Sequence, residues 1–321
     1  MKRELMSCTA RTPLRVSFVG GGSDLPGFYE FAGPGAVVSA AIDHYVTVEV
    51  RHRADGSGAG VGASKHEACI SAVLASSGLS SAQLDILIIP PFEGLGAGLG
   101  SSSAVTSSLV AAINGFAGKR LARTQIAKLA CDTELGALGL PIGKQDQYAC
   151  AVGGMNFIEF CSDGSVNIEP LTSHAGFIEH IREHVLIFDS GERRRSGDIL
   201  APIEAGLRQQ VNVDRVKLLR DLAYRCRESV IREDIAGFIA TINEGWQAKQ
   251  QLSQEISSRR IDTLMRDAFK AGAVGGKLLG AGGGGHILFL APPSSKSAVR
   301  SALSMLPELP FQIDYDGTQV C

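Results

Sequence analysis

The 321-residue chain lacks several features that would place it in common classes. No Gly-Lys-Ser/Thr closes any of its glycine-rich stretches, which excludes the usual P-loop nucleotide site. Its seven cysteines, at positions 8, 69, 131, 150, 161, 226 and 321, are odd in number, scattered, and never spaced as C-x-x-C. That pattern excludes a disulfide scaffold and a cysteine-based zinc site, and leaves reduced thiols, most of them small core residues. Neither sign of charge is in surplus: 31 Lys and Arg face 33 Asp and Glu, a net charge of -2. Such a balance provides no field to gather nucleic acid or an acidic membrane surface. No apolar run approaches the length of a bilayer span, and Met1-Lys2-Arg3-Glu4-Leu5 lacks the hydrophobic core of a signal peptide. The expectation is a cytoplasmic protein, monomer or homodimer, with a small-molecule partner. At 45% hydrophobic content the chain can bury a full core, and its length favours two domains.

What is present begins with Pro90 to Val105, where Gly94, Gly96, Gly98 and Gly100 fall within seven positions and Ser101, Ser102 and Ser103 follow. Glycines let the main chain turn through left-handed conformations and bring bare N–H groups close to an anion. The segment runs into an apolar helix, Ala104 to Asn114, whose N-terminus the serines can cap. Amides, hydroxyls and the positive end of the helix dipole then converge on one point, a cradle for polyphosphate formed by Gly96, Gly98, Leu99, Gly100 and the three serines. A flexible linker would be followed by polar chain instead.

Upstream, Leu14 to Val19 alternates as a strand carrying Arg15, and ends in the turn-rich Gly20-Gly21-Gly22-Ser23-Asp24-Leu25-Pro26. Arg15 taken alone is equally an edge-strand surface residue. Gly35 to Asp43 and Tyr45 to Val50 read as two strands joined by a bend at Asp43 and His44, residues 54–63 as a mobile loop, Lys65 to Leu79 as a helix, and Leu84 to Ile89 as the strand that leads to the cradle. Thr124 can cap a helix reaching Leu138 that carries Glu134, by itself an ordinary surface glutamate. Gly139 stops it, and Gly143-Lys144-Gln145-Asp146-Gln147-Tyr148 opens the next helix. Met155 to Phe160 and Val166 to Glu169 form a hairpin. His184 to Asp189 is a strand leading into a basic loop, Arg193-Arg194-Arg195, either a solvated turn or a phosphate-binding fork. From Ile199 to Ala271 the pattern is helical, with Phe238 and Trp246 packing the helices together. Lys277 to Leu290 contains Gly-x-Gly-x-x-Gly at 280, 282 and 285, but His286 to Leu290 reads as a strand. A dinucleotide fingerprint must open a helix, so a glycine hairpin pressed against the cradle fits better. Phe311 to Tyr315 is the expected last strand.

Three of these segments, in order, resemble the signatures of the GHMP kinases: Pro13, Arg15 and Asp24; the Pro90–Val105 cradle; and Lys277 to Leu290. The resemblance spans nearly the whole chain. It implies an α+β, two-domain GHMP kinase fold, with an N-terminal ribosomal-protein-like α/β domain at 1–180 that binds ATP and a C-terminal ferredoxin-like domain at 181–321. By the same resemblance Asp146 accepts or orients the proton of a sugar hydroxyl and Arg15 lies beside it as the second catalytic residue. Ser102 and Glu134 hold Mg²⁺, and Gly22, Ser23, Asp24, Lys144, Gln145, Gly282 and Gly283 contact the substrate. Arg193 and Arg195 are its candidate phosphate ligands. Galactokinases carry a glutamate and a histidine where this chain has Gly21 and Gly22, a departure that argues against galactose. The forms around Gly22, Asp146 and Gly280 look most like the D-glycero-D-manno-heptose 7-phosphate kinases and the L-fucokinase domains, which implies phosphorylation of an anomeric C1 hydroxyl. Rival readings are a kinase of another sugar such as L-fucose or galactose, a non-catalytic sugar and ATP sensor, and an ATP-using decarboxylase of the same fold.

Overall fold

The computed structural model describes residues 7–53, 66–80, 84–92 and 98–321. The expected 54–63 loop and Gly96 lie outside the described residues. The larger sheet is built on two long antiparallel strands, β1 (Ser7–Val19) and β2 (Gly35–His52). Beyond β2 lie β3 (Leu84–Ile89), β4 (Met155–Phe160) and β5 (Val166–Pro170), and a short C-terminal strand, β9 (Gln319–Val320), pairs with the outer side of β1. Early in β1 buried and part-exposed residues alternate, whereas Thr12 to Val19 is buried at every position. Helices α3 (Ser101–Phe116), α5 (Gln145–Val152), α8 (Val213–Ile231) and α9 (Ile235–Gln250) pack against this part of the sheet. A strand sheltered on both faces loses its period of two, and that is why the apolar run is continuous here.

The expected bend at Asp43 and His44 is a bulge within one unbroken strand. Pro13 pairs with Tyr45 and Leu14 with Ile42, so two residues of β2 are passed over. Bend and bulge use the same residue types, and only the partner strand distinguishes them.

The second sheet is antiparallel, in the order β6 (Val185–Asp189), β8 (His286–Leu290), β7 (Gly275–Leu278). Its apolar side shares a core with Trp246 and with α7 (Ser196–Arg208) and α10 (Arg259–Lys270), through Phe188, Ile199, Met265 and Phe289. The segment expected as the last strand, Phe311 to Tyr315, is not one. Only Ile313 forms a bridge there, to Ile42 of the larger sheet, while Glu308 bridges Phe188 of the smaller. Asp43 holds this segment through Gln312: its main-chain N–H donates to Gln312 O at 3.1 Å, and its carboxylate Oδ1 accepts from Gln312 N–H at 2.7 Å. Five of the seven cysteines are buried and all are free, as expected. No helix among the described residues is long and apolar enough to cross a membrane.

The two sheets meet where the loop before α3 touches the glycine hairpin after β7. Gly98 and Gly280 both have positive φ, and a Cβ on Gly280 would stand 2.5 Å from the Cα of Gly98. Gly78 ends α2 (Glu67–Ser77) with the same backbone sign, φ 76, but nothing lies within 4 Å of its would-be Cβ. Gly78→Ala should therefore lose only the left-handed backbone term, about 1–2 kcal/mol. Gly280→Ala should lose more, because the two loops must also part; thermal melting of both variants checks this, and equal losses would show that the loops are not in close contact.

Candidate active site

Three segments far apart in sequence meet at Arg15. Its guanidinium holds Asp146 through two bonds, Nε to Oδ1 at 2.8 Å and Nη2 to Oδ2 at 2.7 Å, while Nη1 donates to Gly98 O at 2.7 Å. Its main-chain N–H donates to Leu99 O at 2.9 Å. With 2% exposure Arg15 is not a surface residue of an edge strand, because β2 covers one side of it and the cradle the other. A planar fork matched to a carboxylate is the geometry for which arginine is suited and lysine is not.

Asp146 lies in the first turn of α5, and the Gly-Lys-Gln-Asp spacing that places it has a steric cause. Asp24 reaches over Gly143 so closely that any Cβ there would meet Asp24 Oδ2 at 1.9 Å. Asp24 Oδ1 accepts from Gly22 N–H at 2.8 Å and Gln145 Nε2 at 3.3 Å, and Oδ2 accepts from Gln145 N–H at 3.2 Å. Burial pushes the Asp24 carboxyl above its ordinary pKa and the nearby Asp146 charge adds to this, while the Gly22 and Gln145 amides pull the other way.

Glu134 is not in a regular helix. The segment from Thr124 begins as α4 (Arg123–Cys131), capped at Ala122 rather than Thr124, and widens into a π-helical turn over Asp132–Ala137. Such turns displace side chains from the α-helical register and recur at functional sites. Glu134 is 1% exposed and accepts from Thr106 Oγ1 at 2.8 Å, Ser103 Oγ at 2.9 Å and Gln147 Nε2 at 2.5 Å. Burial raises its pKa, against these three bonds. The hydroxyl of the serine run that bonds Glu134 is thus that of Ser103, not that of Ser102.

The serines do not cap α3. Gly100, with φ 74, is the N-cap, and Ser101–Ser103 form the first turn. The left-handed glycine turns the chain into the helix, so no side-chain cap is required. The first intrahelical bond runs from Ala104 N–H to Gly100 O, and among the described residues the amides of Ser102 and Ser103 precede it without an intrahelical acceptor. They sit at the positive end of the dipole, where an anion is favoured.

Two cavities share the Arg15–Asp146 pair in their lining. One, of about 80 Å³, is lined by Gly98, Gly100, Ser101, Ser102, Arg194, Gly282 and Gly284. The other, of about 190 Å³, is lined by Gly22, Asp24, Ser103, Gln145 and Lys249 together with Leu25, Leu140, Pro141, Ile142, Leu200, Ile203 and Leu252. Arg15, Ser102, Asp146, Ser196, Gly280 and Ala281 line both.

Other sequence-predicted residues stand outside both cavities. Ser23 is buried and bonded to Gly20 O and Ala36 O, Lys144 Nζ reaches Gly164 O, and Leu99 is core. Arg193 is paired with Asp189 at 2.7 and 2.5 Å, and neither it, Arg195 nor Gly283 lines a cavity. Sequence reasoning named Ser103 as a cradle residue but not its bond to Glu134, gave Lys277 no role within its signature, and missed Thr106, Gln147 and Lys249. Gln147 follows Asp146 within the quoted motif and Lys277 opens the third signature, whereas Lys249 carries no local signal.

A phosphate-sized cleft at a helix N-terminus, joined through a carboxylate–guanidinium pair to a second cavity, is an arrangement for moving a phosphoryl group between two substrates. Comparison with known proteins agrees. Residues 42–154 match the GHMP kinases N terminal domain and residues 226–307 the GHMP kinases C terminal domain. The chain belongs to the GHMP kinases. As a GHMP kinase it is an ATP-dependent phosphotransferase with an alcohol group as acceptor, on that family's two-domain fold. It is 26% identical over 313 residues, 91% of this chain and 92% of the relative, to a D-glycero-alpha-D-manno-heptose 7-phosphate kinase of Campylobacter jejuni. It is also 26% identical to a bifunctional fucokinase/GDP-fucose pyrophosphorylase of Arabidopsis thaliana, over 63% of this chain but 19% of that protein. In fold it is similar to the crystal structure of a D-glycero-D-manno-heptose 1-phosphate kinase from Bacteroides thetaiotaomicron, with a TM-score of 0.79, 23% identity and 98% of each chain covered. A mevalonate kinase structure matches at a TM-score of 0.70 and 18% identity, covering 95% of this chain and 99% of that one.

The Asp24 carboxyl has a consequence for stability. In the folded state it keeps its proton to higher pH than in the unfolded chain. Its contribution is therefore full below the ordinary carboxyl pKa of about 3.9 and is lost as pH rises through the raised folded value. The stability of wild type relative to Asp24→Asn should fall as pH rises above about 4 in metal-free buffer. Melting curves across that range check this, and a difference independent of pH would rule it out.

Proposed function

We propose that this GHMP kinase transfers the γ-phosphoryl group of ATP to the anomeric C1 hydroxyl of a sugar, D-glycero-D-manno-heptose 7-phosphate in the first instance, toward a nucleotide-activated heptose. Residues 1–180 would bind ATP and carry the chemistry, and residues 181–321 would close the site. The observation that carries the reading is the Arg15–Asp146 pair on the wall common to both cavities. The triphosphate would occupy the Gly98–Ser102 side and the sugar the Asp24–Gln145 side.

The transfer then follows from the residues in place. A carboxylate has about four acceptor positions, so Asp146 can hold Arg15 and still accept the proton of a sugar hydroxyl. As that proton moves to Asp146, the hydroxyl oxygen forms the new O–P bond. The bond from the γ-phosphorus to the bridging oxygen breaks, and its electron pair leaves on ADP. Arg15 keeps Asp146 aimed at the shared wall and sets a positive charge beside the oxygen as it loses its proton.

Magnesium fits the donors near the cradle. Among the described residues no three His, Cys, Asp or Glu side chains gather. A cation there would therefore rely on Glu134, the Ser102 hydroxyl, water and the nucleotide's own phosphates, which is the manner in which magnesium is commonly held. Gln147, which bonds Glu134, has a buried Oε1 without a hydrogen-bond partner, an oxygen that a cation or its water would satisfy. When bound, Mg²⁺ would neutralise the β- and γ-phosphate oxygens.

One observation favours an unphosphorylated sugar such as L-fucose or galactose instead. Among the described residues Arg15 and Lys249 are the cations lining the larger cavity, much of whose wall is aliphatic, and Arg193 is tied to Asp189. A phosphate dianion against that wall would be desolvated without a cation.

ADP release measured with heptose 7-phosphate, L-fucose and galactose separates these readings. On the first reading heptose 7-phosphate has the highest kcat/KM, and Arg193→Ala raises KM for it alone. Better turnover of free sugars transfers the assignment to the second. On both, Asp146→Asn should lower kcat by about 10²–10⁴-fold with KM for ATP little changed. A folded Asp146→Asn enzyme with wild-type turnover would remove the base from the scheme.

A further inference from the structure

Lys249 belongs to no signature in the chain and has no part in the transfer as described, yet its side chain lines the larger cavity beside Arg15, Asp24, Gln145 and Asp146. It does not line the phosphate-side cleft. It extends from the last turn of α9, and its ammonium donates to Gly280 O, at the hairpin residue where the two cavities meet. An ammonium has three donors, so the Gly280 bond leaves two for an acceptor.

The charged groups facing Lys249 are Arg15 on β1, Asp24 on the following loop, Asp146 on α5 and Lys277 on β7. Among the described residues it pairs with neither carboxylate. Asp146 is held by Arg15, and Asp24 by Gly22 and Gln145. Burial, reinforced by the Arg15 charge, pushes the Lys249 pKa down to about 8, against the pull of Asp24 and Asp146. The fold therefore keeps a cation on the acceptor side of the reacting pair, at a cost that no ion pair offsets, and a group perturbed in this way in a cleft is a candidate for chemistry.

We propose that Lys249 is a catalytic residue of the phosphoryl transfer, its protonated ammonium donating to the acceptor oxygen of the sugar while the hydroxyl proton passes to Asp146. The inference rests on the kinase reading above. Lys249 keeps its own proton throughout, so the balance of the step is unchanged: one proton goes to Asp146, one O–P bond forms, and the bridging O–P bond breaks with its pair on ADP. Deprotonation of Lys249 at high pH removes the donor. A lysine that served only to anchor the hairpin through Gly280 would instead act on the nucleotide side, where Gly280 also lies.

The test is kcat/KM for the better of heptose 7-phosphate and L-fucose, at saturating MgATP and from about pH 6 to about pH 10, for wild type, Lys249→Arg and Lys249→Met. The wild-type profile should fall through a single ionisation near the pKa of about 8. Lys249→Arg should move that fall above about pH 9, because a guanidinium stays charged. Lys249→Met should lose roughly 100-fold and show no such fall, with KM for ATP unchanged. If Lys249→Met does not fold, as judged by thermal melting, Lys249→Arg decides by its profile alone. A fall near the wild-type position in either variant, a Lys249→Met enzyme as active as wild type, or an effect confined to KM for ATP overturns the assignment. A wild-type enzyme that releases no ADP with any sugar overturns the kinase reading itself, and this inference with it.

Discussion

The buried contact between Arg15 and Asp146 is the constraint on which the rest of the site depends. One guanidinium joins β1, the start of α5 and the loop that opens α3, using Nε, Nη1 and Nη2, while the same residue's main-chain N–H is bonded to Leu99 O. Removing Asp146 strands the Arg15 guanidinium, whose side chain is 3% exposed, while the Asp146 side chain, 27% exposed, faces the cavities. The three segments must therefore be placed together, and the cradle and the Asp146 carboxylate cannot drift apart. Because the pair lies on the wall shared by the two cavities, the contact that holds the segments in register is also the boundary across which a phosphoryl group would pass.

Around that contact burial dominates the electrostatics. Asp24 and Glu134 have their pKa values raised, and Lys249 and Lys277 have theirs lowered, in each case first by loss of solvent. Each charge is offset by oriented neutral groups: main-chain amides at Asp24, hydroxyls and an amide at Glu134, and the carbonyls of Ser17 and Phe18 at Lys277. Lys277 extends this arrangement across the molecule, since its ammonium leaves β7 of the smaller sheet to bond the main chain of β1 in the larger. The chain's near-neutral net charge is uninformative about this region. What matters is the concentration of charged groups in one region of low solvent exposure with fixed dipoles around them.

Legibility of the chain varied with the range of the interaction that decides each feature. The strand, glycine loop and helix order from Leu84 to Phe116 was readable, as were Asp146 in a first helical turn and the hairpin from Met155 to Pro170, because glycine content and short periodicities specify them. Capping was misread twice, at Thr124 and at Ser101–Ser103, because alternative first residues of a helix look alike until the backbone is seen. The π-helical turn carrying Glu134 was invisible, since its apolar spacing continues that of α4. The Asp43–His44 bulge and the loss of Phe311–Tyr315 as a strand both depend on a partner segment distant in sequence.

By itself, the sequence determined the backbone at glycine positions, the kinds of element and their order, and the residue types available for phosphoryl transfer. Each of these is governed by sterics and hydrogen bonds within a few residues. Tertiary structure alone decided that Ser103 rather than Ser102 bonds Glu134, that Arg193 turns to Asp189, and that a lysine from α9 enters the larger cavity. These outcomes depend on which distant segments fold against one another, since a polar group must find its partner among whatever lies beside it and a local pattern carries no record of that partner.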